Sequence, residues 1–329
     1  MNTTLTHRER IQACLNGQKM DRIPVALWRH FPVDDQSPET LAAATLNYQR
    51  TYDFDLVKVT PASSFSLKDW GVQDAWEGHT EGTRRYTRRV IATPEDWAKL
   101  PQLDSSAPYL AAQITCLKLL RAELGTETPI IQTVFSPLTQ AKNLVGGEAL
   151  IAHIRQHPDL VKHALGIIAE STRRFIQAAL ATGIDGVFYA VQHAQAQLLS
   201  ESEFADFGVA FDLPVLEAAA PGWLNMLHLH GENVHFELVA DYPVQVINWH
   251  DRDTAPNLRD AKKLTRAALC GGLRRETLSL GTPADVRREA AEAIAQTDGM
   301  NFILGTGCVV DVIAPHGNIM AAKSAAEGA

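Results

Sequence analysis

Trp223-Leu-Asn-Met-Leu-His-Leu-His230 is an apolar run that ends in two histidines placed two residues apart. Its length and continuity suit a strand buried on both faces, as in a parallel sheet covered by helices. Seven more such runs occupy 23–28, 56–60, 129–135, 186–191, 244–250, 267–273 and 300–305, with helical patterns between them. Eight strands alternating with helices predict an α/β fold, a single (β/α)8 TIM-type barrel spanning 1–329 as one domain.

The intervening segments carry helix signals. From Pro158, a residue suited to a first turn, Leu160, Ala164, Ile167, Ile168, Phe175 and Ala179 trace one face at near-helical spacing. Thr282-Pro283-Ala284-Asp285 supplies a hydroxyl cap, a first-turn proline and an acid against the helix dipole, ahead of Val286, Ala290 and Ile294. Residues 61–105 lack clean periodicity and hold Trp70, Trp76 and Trp97. They are read as an insertion of loops and hairpin strands over the barrel mouth, with Arg84–Ile91 as one strand.

Composition narrows the function. The chain has 329 residues, 46% of them hydrophobic, which is enough to bury a large core. No apolar run approaches the roughly 20 residues of a membrane span, and the first residues lack the apolar core of a signal peptide. A soluble cytoplasmic protein is expected. Its formal charge of −8 argues against an extended nucleic-acid surface. Cys14, Cys116, Cys270 and Cys308 are too scattered for a disulfide scaffold or a zinc knuckle.

Barrels of this kind carry their chemistry at the C-terminal strand ends. Those ends hold Arg29 and His30, Thr60 and Ser63, Ser136, Gln192 and His193, His228 and His230, His250 and Asp251, Arg274 and Arg275, and Cys308. Histidine or cysteine stands at five of the eight ends, more titratable groups than a stability-only barrel places there. His228 and His230 point to one side of their strand. With Cys308 they make a borderline-soft ligand set, suited to one zinc ion with a fourth position open. His193 and His250 are candidate catalytic residues, for orienting ligands or moving protons. Arg29, Gln192, Arg274 and Arg275 are candidate substrate contacts, the arginines suited to a carboxylate or sulfonate. A strand-end histidine held by the backbone and a solvated arginine pair are the plain alternatives.

Arg8-Glu-Arg-Ile-Gln-Ala-Cys-Leu-Asn-Gly17, Asp21-Arg-Ile-Pro-Val25, Gly183-Ile-Asp-Gly186, Gly281-Thr-Pro-Ala-Asp-Val286, Asn301-Phe-Ile-Leu-Gly-Thr-Gly-Cys308 and Pro315-His-Gly-Asn318 carry a resemblance along nearly the whole chain. They resemble the uroporphyrinogen decarboxylase superfamily, whose fold is a β/α barrel and which also holds corrinoid-dependent methyltransferases of the methylcobalamin:coenzyme M type.

The departures favour the methyltransferase branch. True decarboxylases carry an Arg-Gln-Ala-Gly-Arg-Tyr stretch after the first strand, and here Trp28-Arg29-His30-Phe31 stands there. The aspartate they place after the second strand has no counterpart in Thr60-Pro-Ala-Ser-Ser-Phe65. Their tyrosine falls near Asn143 and their late histidine on Cys308. A porphyrinogen with many carboxylates would meet too few cations.

The methyltransferase branch carries His-x-Cys and a distant Cys as zinc ligands. The resemblance assigns these roles to His228 and Cys308, with His230 in place of the first cysteine. Exchanging a thiolate for an imidazole raises the site charge by one unit, giving a stronger Lewis acid and a weaker bound nucleophile. The resemblance implies zinc, methylcobalamin as methyl donor or acceptor on a partner corrinoid protein, a small thiol or other small acceptor or donor and, by analogy, a homodimer. Two rivals stand beside it: a cofactor-free decarboxylase-like lyase, and a non-catalytic barrel that binds a corrinoid or tetrapyrrole.

Overall fold

The computed structural model describes residues 4–327. Nine strands follow in chain order: β1 (Val57–Val59), β2 (Gln73–Ala75), β3 (Arg85–Arg88), β4 (Ile130–Phe135), β5 (Gly186–Val191), β6 (Met226–Leu229), β7 (Val246–Trp249), β8 (Ala268–Leu273) and β9 (Phe302–Thr306). Seven of them form one parallel sheet in the order β1-β4-β5-β6-β7-β8-β9. All residues of these seven strands are buried, which is why each reads as a continuous apolar run.

The expected first run closes the ring with a single bridge, Val25 to Leu304. On one side Ala26 donates to the Leu304 carbonyl at 2.9 Å and Leu304 donates to Pro24 at 2.8 Å. On the other, Asp55 donates from its backbone to Val25 at 2.9 Å. The fold is therefore a (β/α)8 barrel whose first strand is much reduced. Pro24 cannot donate to a ladder, which limits pairing at this point.

Charge replaces the missing ladder. The buried Asp55 carboxylate accepts from Val25 N at 2.8 Å, from Arg10 Nη1 at 2.6 Å, from Arg22 Nη1 at 2.6 Å, and lies 3.0 Å from His7 Nδ1. Burial alone would raise its pKa, but the His7 and Arg22 hydrogen bonds outweigh burial and hold it below the usual carboxylate range. The N-terminal helix His7–Leu15 is thereby fastened to the seam between 23–28 and β1.

The helix over Pro158–Leu180 buries Ala164, Ile168, Phe175 and Ala179, while Leu160 and Ile167 lie half-buried at the edge of that face. Thr282 and Asp285 form a reciprocal capping box on the helix Pro283–Thr297. In the 61–105 insertion, β2 and β3 pair as an antiparallel hairpin between two 3₁₀ turns, Phe65–Trp70 and Pro94–Lys99. The loop joining β2 to β3 crosses the mouth: Val312 donates to the Thr80 carbonyl at 2.7 Å, and Gly82 packs so close to His30 that a Cβ would stand 2.5 Å from the His30 Cβ. Among the described residues no helix is long and apolar enough to cross a membrane.

Candidate metal centre at the barrel mouth

Register aligns Ala190, His228, Asn248 and Cys270 across four neighbouring strands, so His228 and Asn248 share the inner face. His230 continues that face two residues on, its N–H donating to the Val191 carbonyl at 2.9 Å. His250 does the same after Asn248, and Cys308 follows β9 across Gly307. Gly307 is there for close approach: a Cβ would stand 2.7 Å from His250 Cα and 2.8 Å from the Trp249 carbonyl.

His228, His230, His250 and Cys308 each offer one ligand atom, all within 4.8 Å of one another. Cys308 Sγ lies 3.8 Å from His230 Nδ1. A tetrahedral zinc with bonds of about 2.0 Å to nitrogen and 2.3 Å to sulfur sets its donors roughly 3.3–3.7 Å apart, so small side-chain rotations suffice. His250, expected to stand behind the ligands, belongs to the same cluster.

Hydrogen bonding prepares the set. Asn248 Nδ2 donates to two carbonyls, Cys270 at 2.9 Å and Thr306 at 3.0 Å, which leaves Oδ1 as the acceptor facing His228 Nδ1 at 2.7 Å. His228 Nδ1 therefore carries the proton, and the lone pair sits on Nε2. The His228 ring is stacked on Phe188, with centroids 5.2 Å apart. His250 Nε2 is buried without a hydrogen-bond partner, an atom in want of a ligand, while its Nδ1 lies 3.9 Å from the Asp253 carboxylate. Burial, then the neighbouring His230 and His250, push His228 well below its ordinary pKa; burial and Lys142 lower His230 to about 4. Both rings are thus neutral near pH 7, the form that binds metal.

Two spaces meet at this cluster. An inner cavity of about 80 Å³ is lined by Trp28, His30, Lys58, Phe188, His228 and Cys308, among others. An outer groove of about 630 Å³ includes Lys142, Glu148, Arg155, His193 and Gln197. Gln192 and His230 line both.

The other expected site residues divide. Gln192 borders both spaces and accepts from Lys142 Nζ at 3.1 Å. His193 is buried in the outer groove with Nδ1 unpartnered, and burial, Lys142 and His230 lower its pKa to about 4. Arg275 reaches the inner cavity only through Glu81, 2.6 Å from its Nη1. Arg274 lies outside it, 3.1 Å from Asp253. Arg29, expected to face substrate, leaves the cavity instead: its guanidinium packs over Phe31 and Tyr48, 5.3 and 5.6 Å from their centroids, and donates to the Val312 carbonyl. Aromatic faces give this cation its resting place.

Sequence reasoning missed Lys58. Its side chain enters the inner cavity at 7% exposure, and burial pushes its pKa down to about 7. The signal was present: a single charged residue within a strand buried on both faces, flanked by Val57 and Val59, is turned inward when its neighbours pack against helices. Asn248 and the cavity-lining Glu81 were missed as well.

Imidazole and sulfur donors gathered at the C-terminal strand ends beside a small cavity are the anatomy of a barrel enzyme. The chain belongs to the uroporphyrinogen decarboxylase family, whose model matches residues 6–328. It is 23% identical to the methylcobamide:CoM methyltransferase MtaA of Methanosarcina barkeri, with 97% of each chain covered. It is 30% identical to a uroporphyrinogen decarboxylase of Rhodococcus opacus over 246 residues, 68% of this chain and 67% of that protein. Among solved structures, a methyltransferase from Methanosarcina mazei matches with a TM-score of 0.87 at 20% identity, covering 98% of this chain and 99% of that one. Its agreement is one of fold.

Proposed function

We propose that the protein is a zinc-dependent methyltransferase that moves a methyl group between a corrinoid, carried by a separate protein, and a small thiol or other small acceptor or donor. The observation that carries this reading is the convergence of His228, His230, His250 and Cys308 beside a small inner cavity. Similarity to methylcobamide:CoM methyltransferases supports it.

The donor set fits zinc: three imidazoles and one thiolate, with one lone pair already directed by Asn248. Zinc bound there would lower the pKa of a coordinated thiol so that its anion exists near neutral pH. His228 is held by Asn248 and Phe188, whereas His230, His250 and Cys308 are all partly exposed and lack such a hold. Phe188 and Trp28 keep the inner cavity apolar on one side, and the β2–β3 loop narrows its entrance. The outer groove, open to the surface at His230, is the side from which a large methyl carrier would approach.

The decarboxylase reading has less support. Arg29, which stands where true decarboxylases carry their carboxylate-clamping arginines, is committed to aromatic faces instead. Incubation of the zinc-loaded protein with methylcobalamin and a panel of small thiols, following the cobalt–methyl absorbance and the methylated product, tests the proposal. Thiol-dependent demethylation that disappears in His228→Ala supports it. Absence of transfer to any thiol, together with carbon dioxide release from a porphyrinogen, would replace it with the lyase.

A further inference from the structure

His7 meets an acid on each side of its ring. Its Nδ1 lies 3.0 Å from Asp55 Oδ1 and its Nε2 lies 3.0 Å from Asp53 Oδ1. A neutral imidazole carries one N–H, so one of these nitrogens would turn its lone pair toward an oxygen that can only accept. The carboxyl groups do not supply the missing proton. Asp55 already accepts from Arg10, Arg22 and the Val25 N–H, and Asp53 accepts from Lys323 Nζ at 2.9 Å. Burial would raise Asp53, but Lys323 and His7 outweigh it and hold the acid below its ordinary pKa. The hydrogen bond to Asp55, opposed by burial, raises His7 above its ordinary 6.5. Both ring nitrogens therefore donate, and the ring is an imidazolium.

Its position makes this more than a surface ion pair. His7 opens the N-terminal helix, Asp53 caps the end of the helix Pro38–Tyr52, and Asp55 ties 23–28 to β1. One ring thus joins three parts of the chain at a seam that Asp55, rather than a ladder, closes. The other cations facing these acids are Arg10 and Arg22 on Asp55 and Lys323, from the helix His316–Glu327, on Asp53. Asp21 is taken by Arg10, and on the same helix Arg8 turns to Asp185 and Glu9 to the Thr6 cap. Arginine and lysine stay charged through the neutral range, and His7 alone among these cations gives up a proton near it. Its side chain is 20% exposed, so that proton can leave to solvent, while Asp55 is fully buried.

We propose that His7 is a pH-released clasp: as an imidazolium it bridges Asp53 and Asp55 and holds the first turn of the N-terminal helix on the seam, and on losing its proton it lets that turn go. With the folded value above the unfolded one, the contribution is complete below about 6.5 and is lost as pH rises through the folded midpoint. Release is an alkaline event. The segments on either side of the seam are those that carry Trp28, His30 and Lys58 to the inner cavity, so loosening there reaches the cavity wall.

Two measurements on the full chain test this without metal or turnover. Nuclear magnetic resonance of histidine-labelled protein from pH 5 to 10, with the His7 signal assigned by its absence in His7→Arg, is expected to give a His7 midpoint above 6.5. Hydrogen exchange of residues 4–16 is corrected for the intrinsic rise of exchange with pH and referred to the helix Ala210–Ala219, which reports global changes. Protection of 4–16 is expected to fall several-fold in the native protein as pH passes the His7 midpoint. It is expected to be low at every pH in His7→Gln and to stay level with pH in His7→Arg, whose charge persists. A His7 midpoint at or below 6.5, native protection that does not change with pH, or an equal fall in the native protein and either variant overturns the proposal. Should His7→Gln fail to fold, the native titration and His7→Arg decide it.

Discussion

Asn248 Oδ1 stands 2.7 Å from His228 Nδ1, and the same amide is anchored to two backbone carbonyls through Nδ2. One buried amide thus determines which nitrogen of the most deeply buried candidate ligand carries its lone pair. Replacing Asn248 with leucine removes that acceptor while roughly keeping the volume. Zinc affinity, measured by competition with a chromophoric chelator, is expected to fall about 10- to 100-fold.

Gly307 lets the chain pass against His250, with room for no side chain between them. In Gly307→Ala the added methyl must displace backbone, since its neighbours would be His250 Cα and the Trp249 carbonyl rather than a flexible tip. A stability loss of about 1–3 kcal/mol in urea unfolding is expected, together with weaker zinc binding as Cys308 moves off the cluster. Unchanged zinc affinity would detach Cys308 from the site.

Much of this was legible before the structure. Strands buried on both faces leave continuous apolar runs, so all eight barrel positions are visible in the sequence, even 23–28, where Pro24 allows only one bridge. His228, His230 and Cys308 are legible because barrel strands aim their C-terminal ends at one mouth. His250 has the same signature as His193, yet only His250 joins the cluster. The difference comes from sheet register and from Gly307 drawing Cys308 against His250, neither of which spacing along a chain reveals. Arg29 leaves the cavity and the unforeseen Lys58 enters it for a related reason: a loop cation finds aromatic faces outside the cavity, while a strand cation is carried inside it by alternation.

Asp55 holds the reduced first strand to its neighbour, so its loss should be costly. Asp55→Asn leaves Arg10 and Arg22 facing a neutral amide in a buried place. Breaking a buried pair in this way costs about 3–5 kcal/mol. Thermal unfolding is expected to move down sharply, with the far-ultraviolet spectrum of the folded form preserved at low temperature.

Asp212 sets the sign of one pH effect. It is fully buried on the helix Ala210–Ala219, and burial raises its pKa to about 7 against the opposing hydrogen bonds from Tyr189 and Tyr242. The folded state therefore keeps a proton that the unfolded chain releases near pH 4. Its contribution is complete below that value and is lost as pH rises through about 7. Asp212→Asn is expected to flatten this decline, which spans at most about 4 kcal/mol at 1.36 kcal/mol per unit. Urea midpoints measured from pH 4 to 8 check it, and parallel profiles for both proteins would contradict it.

The central claim is that three imidazoles and one sulfur from three strand ends hold a single zinc ion. Metal analysis of protein purified without added zinc, alongside His228→Ala and Cys308→Ala, tests it most directly. The account predicts about one zinc per native chain, and loss of most of it in either variant while both remain folded. A native protein that is metal-free as purified and takes up no zinc from an equimolar solution at neutral pH would contradict it.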